Sequence, residues 1–161
     1  MKRLFSAYFE RGRVVLAFCA SSSRCIGFVA TTPLVNASLF GQSAMATGPT
    51  PHVVLDSAFF AARDIDASTA QYVADLGVAA GFRRRGLASR LLHAVTTLVQ
   101  PVLPGSHVLL RVSAVKDFAL HLLRARFVLL EAVRQEEPFR VSGIEAPVLL
   151  TKLLMVKSLS V

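Results

Sequence analysis

Tyr72-Val-Ala-Asp-Leu-Gly-Val-Ala-Ala-Gly-Phe-Arg-Arg-Arg-Gly-Leu-Ala-Ser-Arg-Leu-Leu-His-Ala-Val95 decides how the chain is read. Tyr72 to Val78 is apolar and β-branched enough to pair in a sheet, Gly81 breaks the run, and from Leu87 the apolar residues recur at helical spacing. The stretch is a strand, a tight loop and a helix. Its loop is therefore aimed at a helix N-terminus, where free backbone N–H groups and the positive end of the helix dipole converge. Arg83, Arg84, Arg85 and Arg90 add positive charge around that point. Such a cradle suits a phosphate, and a pyrophosphate in particular. Gly86 lets the backbone approach an anion closely, and Ala88 is small where a side chain would obstruct. Residue types alone leave a second reading open, a basic and solvated helix start.

Working outward, the 161 residues suit one domain with one core, and 53% hydrophobic content is ample to build it. A formal charge of +8 favours an anionic ligand, which nucleic acid, a membrane surface or a nucleotide cofactor could each be. Nucleic acid is disfavoured, because Trp is absent and the Phe residues sit inside apolar runs rather than among the basic ones. Cys19 and Cys25 lack the spacing of a metal site and are too few for a disulfide framework, which points to a reducing compartment. Val14 to Ala20 is far shorter than the ~20 apolar residues of a membrane span. No acidic residue lies between Glu10 and Asp56, while Lys2, Arg3, Arg11, Arg13 and Arg24 are scattered among serines. A mitochondrial transit peptide has that composition, but the same residues read as strands, so a cytoplasmic protein is expected.

Along the chain, Met1 to Glu10 is expected to form at most a short helix. Arg13 to Ala20 and Cys25 to Thr32 read as a hairpin across the polar turn Ser21 to Arg24. Asn36 to Thr50 reads as loop, His52 to Ala62 as a strand, and Arg63 to Thr69 as a turn. So long a connection is more often functional than inert. The helix from Gly86 to Gln100 carries Leu87, Leu91, Ala94, Val95 and Leu98 on one stripe and stops at Pro101, with His93 off the stripe and assigned no role. His107 to Val112 is a buried strand, and Lys116 to Arg126 a helix burying Phe118, Ala119, Leu122, Leu123 and Phe127. Val128 to Val133 and Ala146 to Leu154 are strands joined by a turn region at Gln135 to Glu145.

Arg83-x-x-Gly86-x-Ala88 following Leu76-Gly77-Val78 resembles the acetyl-CoA signature of the GCN5-related N-acetyltransferases, with matching spacing from strand to loop to helix. The resemblance covers roughly residues 13 to 155 and is strongest at 72 to 95. It implies an α/β fold: a mixed, mostly antiparallel twisted sheet flanked by helices, with a truncated N-terminal helical region, over a single domain at 1–161. Two neighbouring parallel strands, Tyr72 to Val78 and His107 to Val112, would diverge so that the pantetheine arm fills the space between them like a strand. Acetyl-CoA would be held by Leu76, Gly77, Val78, Arg83, Arg84, Arg85, Gly86, Leu87, Ala88, Ser89 and Lys116. The nearest pattern is that of peptide and protein N-terminal acetyltransferases, so the acceptor is expected to be a primary amine such as a peptide N-terminus, attacked directly in a ternary complex.

Acetyl transfer needs a thioester held still, an unprotonated acceptor and a proton for the departing thiolate. The Leu76 to Val78 backbone would polarise the thioester carbonyl. Related enzymes have a tyrosine at the position of Tyr72 that helps to deprotonate the acceptor, so Tyr72 is the candidate base and Asp75 the runner-up, against the plainer reading of Tyr72 as a core aromatic. Strict alternation puts Tyr72, Ala74, Leu76 and Val78 on one face and Asp75 on the other, unless a bulge intervenes. Other positions depart from the family's pattern. Arg111 stands where Glu or His is common and cannot act as a base, although it could attract an acidic acceptor or a CoA phosphate. Lys116 stands where Asn is common, and Leu123 where a tyrosine commonly protonates the thiolate. Phe139, ahead of Gly143-Ile-Glu145-Ala146, lies near the position of the paired tyrosines of the peptide-binding hairpin but has no hydroxyl. The helices that usually precede the first hairpin have little chain to form from, so either the acceptor wall is built differently, or the sequence starts late, or a partner such as a homodimer mate or an auxiliary subunit supplies it. These departures favour an alternative, a CoA-binding regulatory module whose catalysis is degenerate.

Overall fold

A computed structural model describes residues 12–46, 52–99, 106–114, 118–141 and 144–159, and side chains between 135 and 148 lie outside that description. So do the short helix expected at Met1 to Glu10 and Lys116, expected among the cofactor-binding residues.

Strands β1 (Arg13–Phe18), β2 (Cys25–Pro33), β3 (Ser43–Ala46), β4 (Val53–Val54), β5 (Gln71–Val78), β6 (His107–Ser113), β7 (Val128–Val141) and β8 (Ile144–Ser158) form one eight-stranded sheet. Their spatial order is β1-β2-β5-β6-β8-β7-β3-β4. Every pairing is antiparallel except that of β5 with β6. Helices α1 (Ser57–Ala61), α2 (Leu87–Val99) and α3 (Phe118–Arg124) flank it. The mixed, mostly antiparallel sheet flanked by helices is the architecture expected.

The sheet buries both faces. On one, Val29, Val73, Val108, Leu110 and Val112 pack beneath Leu91, Leu92, Val95 and Val99 of α2 and Leu122 of α3. On the other, Tyr72, Leu109, Leu154 and Val156 pack beneath Leu34, Leu39, Phe59, Phe60 and Ile65.

Several local expectations are corrected. The segment read as loop from Asn36 holds β3, and the strand expected from His52 to Ala62 is the two-residue β4 followed by α1. A local cap decides the second case: the Asp56 carboxylate accepts a hydrogen bond from the Phe59 N–H at 2.9 Å, closing the first turn and placing Phe59 and Phe60 together on the core. Arg63 then fastens this layer to the sheet. Its guanidinium lies 3.7 Å from the centre of the Phe59 ring, donates to the Phe59 carbonyl, and pairs with Glu131 on β7 at 3.2 Å.

The turn region expected at Gln135 to Glu145 is largely strand, with β7 and β8 paired as far as Val141 opposite Ile144. The buried stripe of α2 is rotated from the expected one. Leu92, Thr96 and Val99 are buried and Leu98 is exposed, because the Thr96 hydroxyl bonds to the His93 carbonyl at 2.8 Å and can enter the core satisfied. Leu123, expected in the core, is likewise exposed.

Candidate active site

The ladder between β5 and β6 is short. Gln71, Tyr72 and Val73 pair with Val108, Leu109 and Leu110, and there it ends. Beyond that point each strand is held only on its far side, β5 by β2 as far as Val78 and β6 by β8 as far as Ser113. The backbone groups of residues 74–78 that face β6 therefore have no ladder partner there and are open to another one. A cavity of about 700 Å³ occupies this splay, lined by Ala74 to Val78 on one side and Leu110 to Ser113 on the other.

The splay leads into the loop before α2. A second cavity of about 430 Å³ is lined by Phe82, Arg83, Arg84, Gly86, Leu87, Ala88 and Ser89. Both cavities share Val78, Arg83, Ala88 and Phe118, so they form one groove from the divergent strands to the helix start. The loop is set by its own contacts. Ala80–Phe82 makes one 3-10 turn, and the Arg83 side chain donates through Nε to the Val78 carbonyl at 3.1 Å. Arg84 (φ 59°) and Gly86 (φ 75°) are left-handed, which for Arg84 costs roughly 1 kcal/mol or more and for Gly86 almost nothing. Nothing lies within 4 Å of the position a Gly86 Cβ would take, so its conformation, not crowding, requires glycine there. Gly77 is required by space instead: a Cβ would stand 2.4 Å from the Phe28 ring on β2. These features fit acetyl-CoA. The residues present offer an unpaired strand edge for the amides of a pantetheine arm and an arginine-rich helix start for its pyrophosphate.

The expected side-chain alternation in β5 is overturned. Ala30 of β2 pairs with Asp75 but Thr31 pairs with Val73, so Ala74 is an extra residue, a β-bulge. Val73, Leu76 and Val78 all pack on the α2 face, whereas Tyr72 packs on the other. Asp75 therefore shares a face with Tyr72, not with the helix. Leu109 of β6 lies on that face too, and with it, two residues on, Arg111. Burial pushes the Tyr72 phenol above its ordinary value near 10, and the neighbouring Arg111 guanidinium pulls it down without reversing the shift. Tyr72 is 5% exposed and stays protonated at neutral pH, whereas Asp75 is exposed at the cavity's edge.

Of the residues expected at the site, Tyr72, Leu76, Gly77, Val78, Arg83, Arg84, Gly86, Leu87, Ala88 and Ser89 line this groove. Arg85 does not line it; its guanidinium lies over the Phe82 ring, 5.6 Å from the centroid. Sequence reasoning missed Phe118 and His121, which stand one helical turn apart on α3 with ring centroids 6.5 Å apart and both border the cradle. Their spacing is a weak signal, indistinguishable in sequence from an ordinary helix face.

No family model matches this sequence, and no curated protein does. Solved structures resemble the fold closely along nearly its whole length. The ribosomal-protein-S18-alanine N-acetyltransferase of Escherichia coli is 15% identical with a TM-score of 0.59, covering 99% of this chain and 77% of its own. NAA60 of Arabidopsis thaliana, solved with a bisubstrate analogue, is 19% identical with a TM-score of 0.59, covering 98% and 82%. A GNAT family acetyltransferase of Elizabethkingia anophelis with acetyl-CoA bound is 16% identical with a TM-score of 0.56, covering 98% and 83%. The eight-stranded, mostly antiparallel mixed sheet with its flanking helices is that of the GCN5-related N-acetyltransferase fold.

Proposed function

We propose that this chain is an acetyl-CoA-dependent N-acetyltransferase that delivers the acetyl group to a primary amine within a ternary complex. The observation that carries the reading is the unpaired interval of β5 after Val73, continuous with the arginine-rich start of α2. Among proteins of this fold, one is named for an alanine of a ribosomal protein and another was solved with a bisubstrate analogue, which supports a peptide amine as acceptor.

Bound acetyl-CoA supplies an activated acyl group on a thiol leaving group. Backbone groups of Leu76, Gly77 and Val78 hold the arm and polarise the carbonyl. Arg83, Arg84 and the amides from Gly86 to Ser89 take the pyrophosphate, with Leu87 and Ala88 packed beneath; Arg85 adds charge from farther out. Tyr72 acts as a protonated hydroxyl that orients the acceptor nitrogen or its water, and the Asp75 carboxylate on the same face receives the proton. The second reading, CoA binding without turnover, is favoured by Leu123, an exposed side chain with no proton to give.

Calorimetric titration with acetyl-CoA, followed by thiol release over a panel of amines and peptides, separates the two. Micromolar binding with thiol release is expected, and binding without release would select the second reading. Tyr72→Phe is expected to lower kcat about tenfold with CoA affinity unchanged, the scale of one hydrogen bond in the transition state. Asp75→Asn should lower kcat at least tenfold with CoA affinity unchanged. Unaltered turnover would take Asp75 out of the proton path.

A further inference from the structure

A separate cavity of about 260 Å³ opens between the β3–β4 layer and β7–β8, lined among others by Ser43, Met45, His52, Arg134 and Leu149. Among the described residues, one side chain belongs both to it and to the splay: Arg111. Arg111 is half-buried on the face that carries Tyr72 and Asp75. The single ion pair among the described residues joins Arg63 to Glu131, so no described carboxylate neutralises Arg111. Arg134 and His52 add basic groups to the second cavity, and no described residue lining it is acidic.

A half-buried guanidinium that meets no carboxylate among the described residues is a ready partner for an anion. The α2 face of β5 is closed by the helix and the core beneath it, so an acceptor reaches the thioester from the face of Tyr72, and the second cavity is the recess next to that approach. We propose that Arg111 selects the acceptor, by pairing with a carboxylate a few bonds from the reacting amine while the rest of the acceptor lies in the second cavity. The substrate class is an acidic primary amine, either a peptide beginning with acidic residues or a free acidic amino acid.

The guanidinium fork suits a carboxylate in two-point contact, which fixes the distance between the anchored group and the attacking nitrogen. The neutral nitrogen forms the C–N bond as the C–S bond of the thioester breaks. Its surplus proton passes to Asp75 or water, and the departing thiolate takes one from solvent. Arg111 loses no proton in these steps, so its effect falls on acceptor binding.

This inference rests on the transferase reading, and the test separates the two. Amidated peptides identical except for Glu, Gln or Lys in the first two positions, with free glutamate and glutamine as further arms, are compared with acetyl-CoA as donor. The expected result is kcat/KM at least tenfold higher for the Glu peptide than for the Gln peptide, or for glutamate than for glutamine; which pair shows it identifies the source. Arg111→Gln should abolish the preference mainly through KM, Arg111→Lys should retain part of it, and Arg111→Glu should turn it toward the Lys peptide. A purely structural role for Arg111 would lower all acceptors alike and could not invert the order. Transfer without charge preference, or variants that leave the order unchanged, overturns the inference alone. No transfer to any acceptor overturns the transferase reading and this inference with it.

Discussion

The two faces of the sheet are closed in different ways. On the cofactor side α2, 13 residues long, lays one continuous stripe across β1, β2 and β5, and its N-terminus is itself part of the site. The opposite side is closed by residues 34–46 and 52–70, which hold turns, two short strands and a five-residue helix tied down by Asp56 and Arg63. Both bury side chains completely, among them Val95 on the first face and Leu34, Leu39 and Phe60 on the second. Burial is thus alike, but its origin differs: one face depends on periodicity, the other on individual caps and anchors. The difference matters for function because Tyr72, Asp75 and Arg111 all project toward the second face.

The strongest way to break this comparison is to empty both cores. Phe60→Ala is expected to cost about 3–5 kcal/mol, in the same range as Leu92→Ala on the helix face at about 2–5 kcal/mol, by urea denaturation. A Phe60 cost below about 1 kcal/mol would mean that the irregular layer is draped over the sheet rather than packed on it. Next in size, Gly86→Glu should weaken acetyl-CoA binding at least 100-fold, about 2.7 kcal/mol, by forcing a side chain into the left-handed region and a negative charge into the cradle. Its urea midpoint should move far less than that of Phe60→Ala, and unchanged CoA affinity in the folded variant would move the cofactor site elsewhere. The smallest effect sharpens the contrast between periodic and anchored cover. Asp56→Ala should lose about 1 kcal/mol with its lost cap, and amide exchange should quicken in α1 before it quickens in α2.

The same contrast explains what could be read from the sequence. The hairpin of β1 and β2, the β5-loop-α2 unit and β6 were legible because alternation, a glycine break and helical spacing each follow from regular backbone geometry. Most of the residues expected to hold the cofactor line the groove for that reason. The second face was not legible, since a cap by Asp56 and a cation over Phe59 are single contacts that leave no period. Rotation of the α2 stripe escaped notice because Thr96 counts as polar until its hydroxyl is seen to bond within the helix. Alternation failed in β5 because counting along a strand assumes that every residue is paired, and Ala74 is not.

That extra residue bears on how such a strand tolerates insertions and deletions. Removing Ala74 would leave Val73, Asp75 and Leu76 alternating regularly, each on the face it now occupies, so no core position would be exchanged for a surface one. Loss of a paired residue farther along the strand, without the bulge to absorb it, would turn everything beyond it inside out. Ala74 is thus the position in β5 where the chain can change length without scrambling its two sides. A bulge bends its strand, and this one lies where the sheet opens.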